Sequence, residues 1–348
     1  MKLTPFSLPL SSPLATASGT IEAREGLVVR YDHRDETGVG EATPLPGWTE
    51  SLPACRAGLD AAADADRRGG HTAATLELAA DSVPAARHGF VTALLDADAR
   101  ADGVPLYRWF DADRHCEAVP VNATVGDGDP DATADAVDSA VEKGFDCCKL
   151  KVGARSVDAD IERVRAVRER VGDETTLRAD ANGAWDREQA AVAFKTLGDL
   201  GVDYVEQPLA ADDLEGHADL RGGSVGVALD ESLIHQRADT VLSADAADVL
   251  ILKPMVLGGP GNAHTLALRA RDRGVEPVVT TTIDGVVARL AALHVAAAIP
   301  GVSACGLATG DRLASDLAPD PATVADGEMT VPQSDGLGLD PGEVTPDA

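Results

Sequence analysis

The sequence predicts an α/β protein, a (β/α)8-type barrel preceded by an N-terminal α+β domain. Three observations carry this. From Val119 onward, short β-rich runs alternate with helical stretches, the pattern of parallel strands joined by crossover helices. Charged residues end successive runs at intervals of 29, 26, 24 and 23 residues counted from Lys151, each close to one βα unit. The first 115 residues instead mix long strands with two helical stretches and show no such alternation.

In chain order, LTPFSLPL and LVVRYDH read as strands separated by a turn around Gly19, and GVGEA (38–42) as a third. Apolar residues and alanines recur at helical spacing over 50–68 and 83–101. The barrel strands are VPVNATV, CCKLKV, TLRAD, DYVEQ, VALD, DVLILK, PVVTTT and SACGLA. Helices are expected between them at 130–144, 157–171, 186–200, 260–273 and 284–298. The expected domains are 1–115 and 116–319. The Pro-, Gly- and Asp-rich segment 320–348 should run back over the surface toward the first domain.

Composition narrows the function classes. The 348 residues are 44% hydrophobic, enough for a sizeable core, and carry a formal charge of −28. That charge argues against nucleic acid or an anionic membrane as partner. No apolar run reaches the roughly 18 residues of a membrane span, and Pro5, Pro9 and Pro13 interrupt any signal-peptide core. The five cysteines show no ligand or disulfide spacing, which fits a reducing cytoplasm. An acidic, lysine-poor, alanine-rich surface suggests a high-salt cytoplasm, where self-repulsion is screened. A homo-oligomer remains open. Only six lysines occur against 24 arginines, and three of the six fall at predicted strand ends.

Those strand ends carry the chemistry. Lys149 and Lys151 end CCKLKV, Asp180 ends TLRAD, Glu206 ends DYVEQ, Asp230 ends VALD and Lys253 ends DVLILK. Recurrence at the unit period brings all six to one mouth of the barrel, where barrel enzymes place their sites. Strand parity puts Lys149 and Lys151 on one face and Cys148, Leu150 and Val152 on the other. Three carboxylates without His or Cys make a hard, all-oxygen donor set that suits Mg²⁺ rather than zinc. The lysines flank them in barrel order. A lysine near a cation and away from bulk water can act as a base, removing the proton α to a bound substrate carboxylate. A small-molecule carboxylate is therefore the expected partner.

The motifs KLK (149–151), DAN (180–182), EQP (206–208), DES (230–232) and KP (253–254) resemble the enolase superfamily in its muconate-lactonising branch. The resemblance covers nearly the whole chain and implies a capping domain ahead of the barrel. Within that branch, AREGLVVRYDHRDETGVGEATPLPGWTES, RADANGAW and ACGLAT resemble the o-succinylbenzoate synthases of menaquinone biosynthesis. So does the stretch from Thr280 to Pro300, although Thr281, Thr282 and Asp284 stand where serines and a glutamate are usual.

The resemblance implies that Asp180, Glu206 and Asp230 bind Mg²⁺ and that Lys151 removes the α-proton and then helps a β-hydroxyl leave as water. It implies that Lys149 favours the neutral amine of Lys151 and that Lys253 stabilises the enediolate. Asn182 and Arg178 would hold the ligands, and Thr281, Thr282 and Asp284 would meet substrate carboxylate. Trp48 would close over the succinyl arm or serve as a core aromatic. Gly258 would lie in a backbone cradle for a carboxylate or in a plain turn. Glu231 would brace Lys253 or the metal shell, or be a solvated acid. N-acylamino acid racemase or dipeptide epimerase is the alternative activity, with a non-catalytic ligand-binding barrel behind it. The eighth strand lacks the Asp-x-Asp with which dipeptide epimerases hold an ammonium.

Overall fold

A computed structural model of the chain describes residues 1–16 and 19–345. The turn expected around Gly19 falls mainly on residues 17–18, outside the described residues, as do residues 346–348 of the expected returning segment. The chain begins with β1 (Lys2–Thr16), β2 (Gly19–His33) and β3 (Glu36–Ala42), an antiparallel meander in that order. Helices α1 (Leu52–Glu77) and α2 (Pro84–Ala101) cover one face of it. Gly38 and Gly40 decide how closely α2 lies on β3. A Cβ at either position would sit 1.9 Å from the Ala93 or Gly89 carbonyl oxygen, so only glycine lets the helix down. α1 runs past the expected 68 because a second helical segment follows a break at Gly69 and Gly70.

A short α3 (Leu106–Phe110) leads to β4 (Ala118–Pro120) and β5 (Ala123–Val125). The barrel continues through α4 (Pro130–Glu142), β6 (Cys147–Lys151), α5 (Val157–Val171), β7 (Thr176–Asp180), α6 (Arg187–Asp199) and β8 (Val202–Glu206). Then come α7 (Leu214–Leu220), β9 (Gly226–Leu229), α8 (Ser232–His235), α9 (Ala238–Ser243), β10 (Val249–Leu252), α10 (Pro260–Arg271), β11 (Glu276–Val279) and α11 (Val286–Ala298). The long crossovers start on local signals. Asp129 precedes Pro130, Ser156 caps α5, and Asp186 forms a reciprocal capping box with Gln189.

Seven strands, β5 through β11, form one curled parallel sheet in sequence order. Two expectations are corrected here. SACGLA is not a strand of that sheet. It closes the ring through single bridges, Cys305 to Val121 and Gly306 to Thr280, because too few of its backbone groups are paired to extend a ladder. VPVNATV is split. β5 joins the barrel, while β4 pairs with a hairpin the sequence reading missed, β12 (Val324–Ala325) and β13 (Glu328–Thr330). Beyond that hairpin the chain returns to the N-terminal meander and its helices. Leu337 N donates to the buried Asp96 carboxylate, and Arg30 donates to the Pro341 carbonyl.

Alternation within strands sets the layers. Cys148, Leu150, Leu177, Ala179 and Val205 pack outward against the helices in the main core. Tyr204, Val249, Ile251 and Val278 fill the barrel interior beneath the mouth. No helix among the described residues is long and apolar enough to cross a membrane.

Candidate active site

The charged side chains meet because neighbouring strands are in register. Lys151 pairs across to Asp180, and Asp180 to Glu206. All three therefore leave the sheet at one level on its inner face. Asp180, Glu206 and Asp230 are only 1%, 1% and 4% exposed. Lys149 Nζ lies 2.7 Å from Glu206 Oε2 and 3.5 Å from Asp180 Oδ2. Lys151 Nζ donates to Asp180 Oδ2 (2.6 Å) and to Asn182 Oδ1 (2.8 Å). On the far side Lys253 Nζ donates to Asp230 Oδ2 (2.5 Å).

Burial and neighbouring charge pull in opposite directions here. Burial, aided by the Asp180 charge, pushes Glu206 up to about 7. Burial also raises Asp230 and Glu231 above the usual carboxylate range. Asp180 pays the same desolvation, yet Lys149 and Lys151 outweigh it and hold the group well below that range. Burial opposes the Lys149 ammonium, but Glu206 and Asp180 outweigh it and raise Lys149 above its ordinary value.

The tight turns after the strands are part of the site. Asn182 and Gln207 have positive φ, 45° and 42°, a conformation that costs energy in non-glycine residues and clusters at functional sites. Asn182 donates to Glu231 Oε1 while accepting from Lys151, so it ties the turn after β7 to the turn after β9. Trp48 comes from the N-terminal domain, its ring centroid 3.4 Å from Lys253 Nζ. That is the distance of a cation–π contact, so Trp48 roofs the lysine.

Other expected residues lie elsewhere. Arg178 points down the barrel. It stacks over Tyr204 and bonds to the Ala304 carbonyl and Asp203, so it holds none of the carboxylates at the mouth. Thr282 bonds to Asp284, which lies 3.6 Å from the buried Arg24. That pair is engaged in the contact between domains. Gly258 is buried in a turn conformation, φ +75°, with Ala80 and Arg87 beside its Cα. Glu231 bonds to Asn182 rather than Lys253, and its second oxygen is buried without a hydrogen-bond partner. Thr281 stays at the mouth, its hydroxyl 3.0 Å from that of Thr309.

Three further groups escaped the sequence reading. The buried Gln207 amide accepts from Asp230 N and Ser232 N and donates to Ser232 Oγ, so it fixes the turn that carries Asp230. Behind β6, Arg163 donates to the Lys151 carbonyl and pairs with Asp160, which accepts from Gly153 N. Arg24 and Glu41 join the domains. Arg24 donates to the Ile283 carbonyl, and Glu41 accepts from Gly285 N and Ala288 N. The i, i+3 Asp–Arg pair in α5 and the acid of the GE dipeptide were the available signals.

The donor set fits a hard divalent cation. It is all oxygen, it is buried, and one Glu231 oxygen has no partner. As they stand, however, no three described His, Cys, Asp or Glu side chains are gathered tightly enough to hold a metal ion. Buried carboxylates need a counter-charge, and the ammonium groups of β6 and of the residue after β10 are the nearest ones.

With this geometry in view, residues 132–344 match the family described as enolase C-terminal domain-like, and residues 1–101 match the family described as MenC, N-terminal domain. The chain belongs to the enolase superfamily. Among its superfamily relatives, the N-succinyl-L-Arg/Lys racemase of Bacillus cereus is 33% identical over 62% of this chain, a match spanning only 58% of the racemase. The o-succinylbenzoate synthase of Thermobifida fusca is 38% identical over 63% of this chain and 68% of its own. The crystal structure of a dipeptide epimerase from Enterococcus faecalis V583, complexed with Mg and the dipeptide L-Leu-L-Tyr, superposes with a TM-score of 0.83 at 26% identity. It covers 97% of this chain and 98% of that one. As a member of the enolase superfamily, the chain is an enzyme with the superfamily's cap and curled parallel sheet.

Proposed function

We propose that the chain is an o-succinylbenzoate synthase, a Mg²⁺-dependent hydro-lyase. It would convert 2-succinyl-6-hydroxy-2,4-cyclohexadiene-1-carboxylate to o-succinylbenzoate and water in menaquinone biosynthesis. The observation that carries this reading is the placement of Lys151 and Lys253 on opposite flanks of three buried carboxylates. The match of residues 1–101 to the MenC N-terminal domain supports it against the other activities of the superfamily.

Asp180, Glu206 and Asp230 are the residues that would hold the metal. When bound, a divalent cation supplies positive charge beside the substrate carboxylate and so favours loss of the adjacent proton. Lys151, as the amine, takes the α-proton. The C–H pair moves into the ring, and the same Nζ, now ammonium, returns the proton to the departing β-hydroxyl. One C–H and one C–O bond break, one water leaves, and the ring becomes aromatic. Asn182 holds Lys151 at the edge of the mouth. Lys253, kept under Trp48, faces the enediolate as a fixed cation. We place this chemistry in a cytoplasm of high salt, on the −28 charge.

The test is purified full-length chain with Mg²⁺, molar KCl and the cyclohexadiene substrate, followed by ultraviolet absorbance of the aromatic product. Absence of product at every salt level rejects the reading. A second reading, N-acylamino acid racemase or dipeptide epimerase, is favoured by the same two lysines serving as bases on both faces. It predicts α-deuterium exchange into both enantiomers of an N-succinyl amino acid in D₂O.

A further inference from the structure

The barrel mouth is electrically divided. Around the ring, β6 and the residue after β10 contribute the lysines, and β7, β8 and the turn after β9 contribute the carboxylates. The remaining arc is β11, the closing segment through Gly306, and β5. Of its acids near the mouth, Asp284 is buried beside Arg24 and Asp127 after β5 is paired with Arg155 and Arg163, while Asp311 beside Arg312 is exposed. What this arc presents is hydroxyls. Thr124 on β5 is in register with Lys149 and is solvent-exposed, so it shares the inner face of the mouth. Thr281 and Thr309 lie 3.0 Å apart. One of those two hydroxyls donates to the other, which leaves the acceptor's own hydrogen free for a ligand.

The exposed Arg312 adjoins two of these residues, its backbone N donating to the Thr309 carbonyl. It ends the 3₁₀ turn Gly310–Arg312 that follows Thr309. Its guanidinium donates to the Thr124 carbonyl oxygen (3.4 Å) and makes no ion pair among the described residues. The next residue, Leu313, bridges Leu10 of β1, so Arg312 sits where the N-terminal domain meets the mouth.

We propose that Arg312, with the hydroxyls of Thr124, Thr281 and Thr309, forms a second carboxylate subsite on the arc opposite the acids, which receives the distal carboxylate of a dicarboxylate substrate. The identity of that ligand rests on the synthase reading above. A planar guanidinium together with hydroxyl donors matches a carboxylate and repels an ammonium. The subsite would thus favour succinyl-bearing substrates over dipeptides with a free amino terminus.

The experiment compares o-succinylbenzoate with 2-butyrylbenzoate, which keeps the ring carboxylate and lacks the distal one. Calorimetry on the Mg²⁺-loaded full chain measures binding of both to wild type, Arg312→Ala and Arg312→Lys. Wild type should prefer the dicarboxylate. Arg312→Ala should weaken its binding about ten- to hundredfold, leave 2-butyrylbenzoate unchanged, and raise substrate KM by a similar factor with kcat little altered. Arg312→Lys should restore part of the loss. No preference in wild type, or an equal loss for both ligands, overturns the subsite. Absence of turnover with the preference intact rejects only the synthase reading.

Discussion

Lys151 is held by two acceptors, Asp180 and Asn182, and it is the most exposed of the three lysines at the mouth. Both bonds must loosen before its nitrogen reaches a substrate proton. Lys149 is different. Its ammonium is enclosed by Glu206 and Asp180, so it serves as a standing positive charge. Replacing Lys151 by Ala removes the base while Lys149 still neutralises Asp180. Lys151→Ala should therefore keep its near-UV circular dichroism and lose elimination activity by roughly a hundred- to ten-thousandfold. Turnover within tenfold of wild type would remove Lys151 from the role of base. Lys253→Ala should leave Asp230 without its lysine partner and uncover Trp48. Trp48 emission should shift in that variant, and no shift would place the ring elsewhere than over the ammonium.

At the scale of elements, the strand ends were legible in the sequence because one βα unit has a nearly constant length and inward residues alternate. Lys149, Lys151, Asp180, Glu206, Asp230 and Lys253 followed from those two regularities. Gln207 did not, because its bonds to the turn after β9 exist only at a positive φ that no periodicity reveals. At the eighth strand the pattern over 303–308 predicts a full ladder, whereas only two single bridges form there, a difference that residue alternation does not encode. The neighbourhood of Thr282 and Asp284 was not legible either, because Arg24, distant in sequence, pairs with Asp284 and donates to the Ile283 carbonyl.

The start of α11 belongs to the same domain contact. Glu41 from β3 accepts from Gly285 N and Ala288 N there, and burial together with the Asp284 charge lifts it from the ordinary value near 4.5 to about 7. A carboxyl whose folded pKa is raised favours the fold while protonated. Its contribution is whole below the unfolded pKa near 4.5, is lost as pH climbs to about 7, and is constant above. The lifted pKa corresponds to roughly 3 kcal/mol. Wild type should thus lose Tm relative to Glu41→Gln between those pH values. Parallel Tm–pH curves for the two proteins would show that Glu41 does not titrate in that window.

For the whole molecule, 58 acidic residues face 30 lysines and arginines, and two opposed electrostatic terms respond to salt. Exposed pairs such as Arg34 with Asp102 and Arg187 with Glu215 attract, but each such pair contributes little, typically below about 1 kcal/mol. The uncompensated negative charge repels across the whole surface. At 0.1 M salt the Debye length is about 10 Å, long enough for neighbouring carboxylates to feel one another, and at 1 M it falls to about 3 Å. Screening therefore removes more repulsion than attraction. Raising KCl from 0.1 to 1 M should increase Tm by roughly 5 °C or more, with most of the gain below 1 M, where screening rather than solvent exclusion dominates. Potassium chloride is the right salt because sulfate would strengthen apolar burial as well. A flat or falling Tm across that range would mean that the surface ion pairs outweigh the net charge, and the high-salt proposal would fall with it.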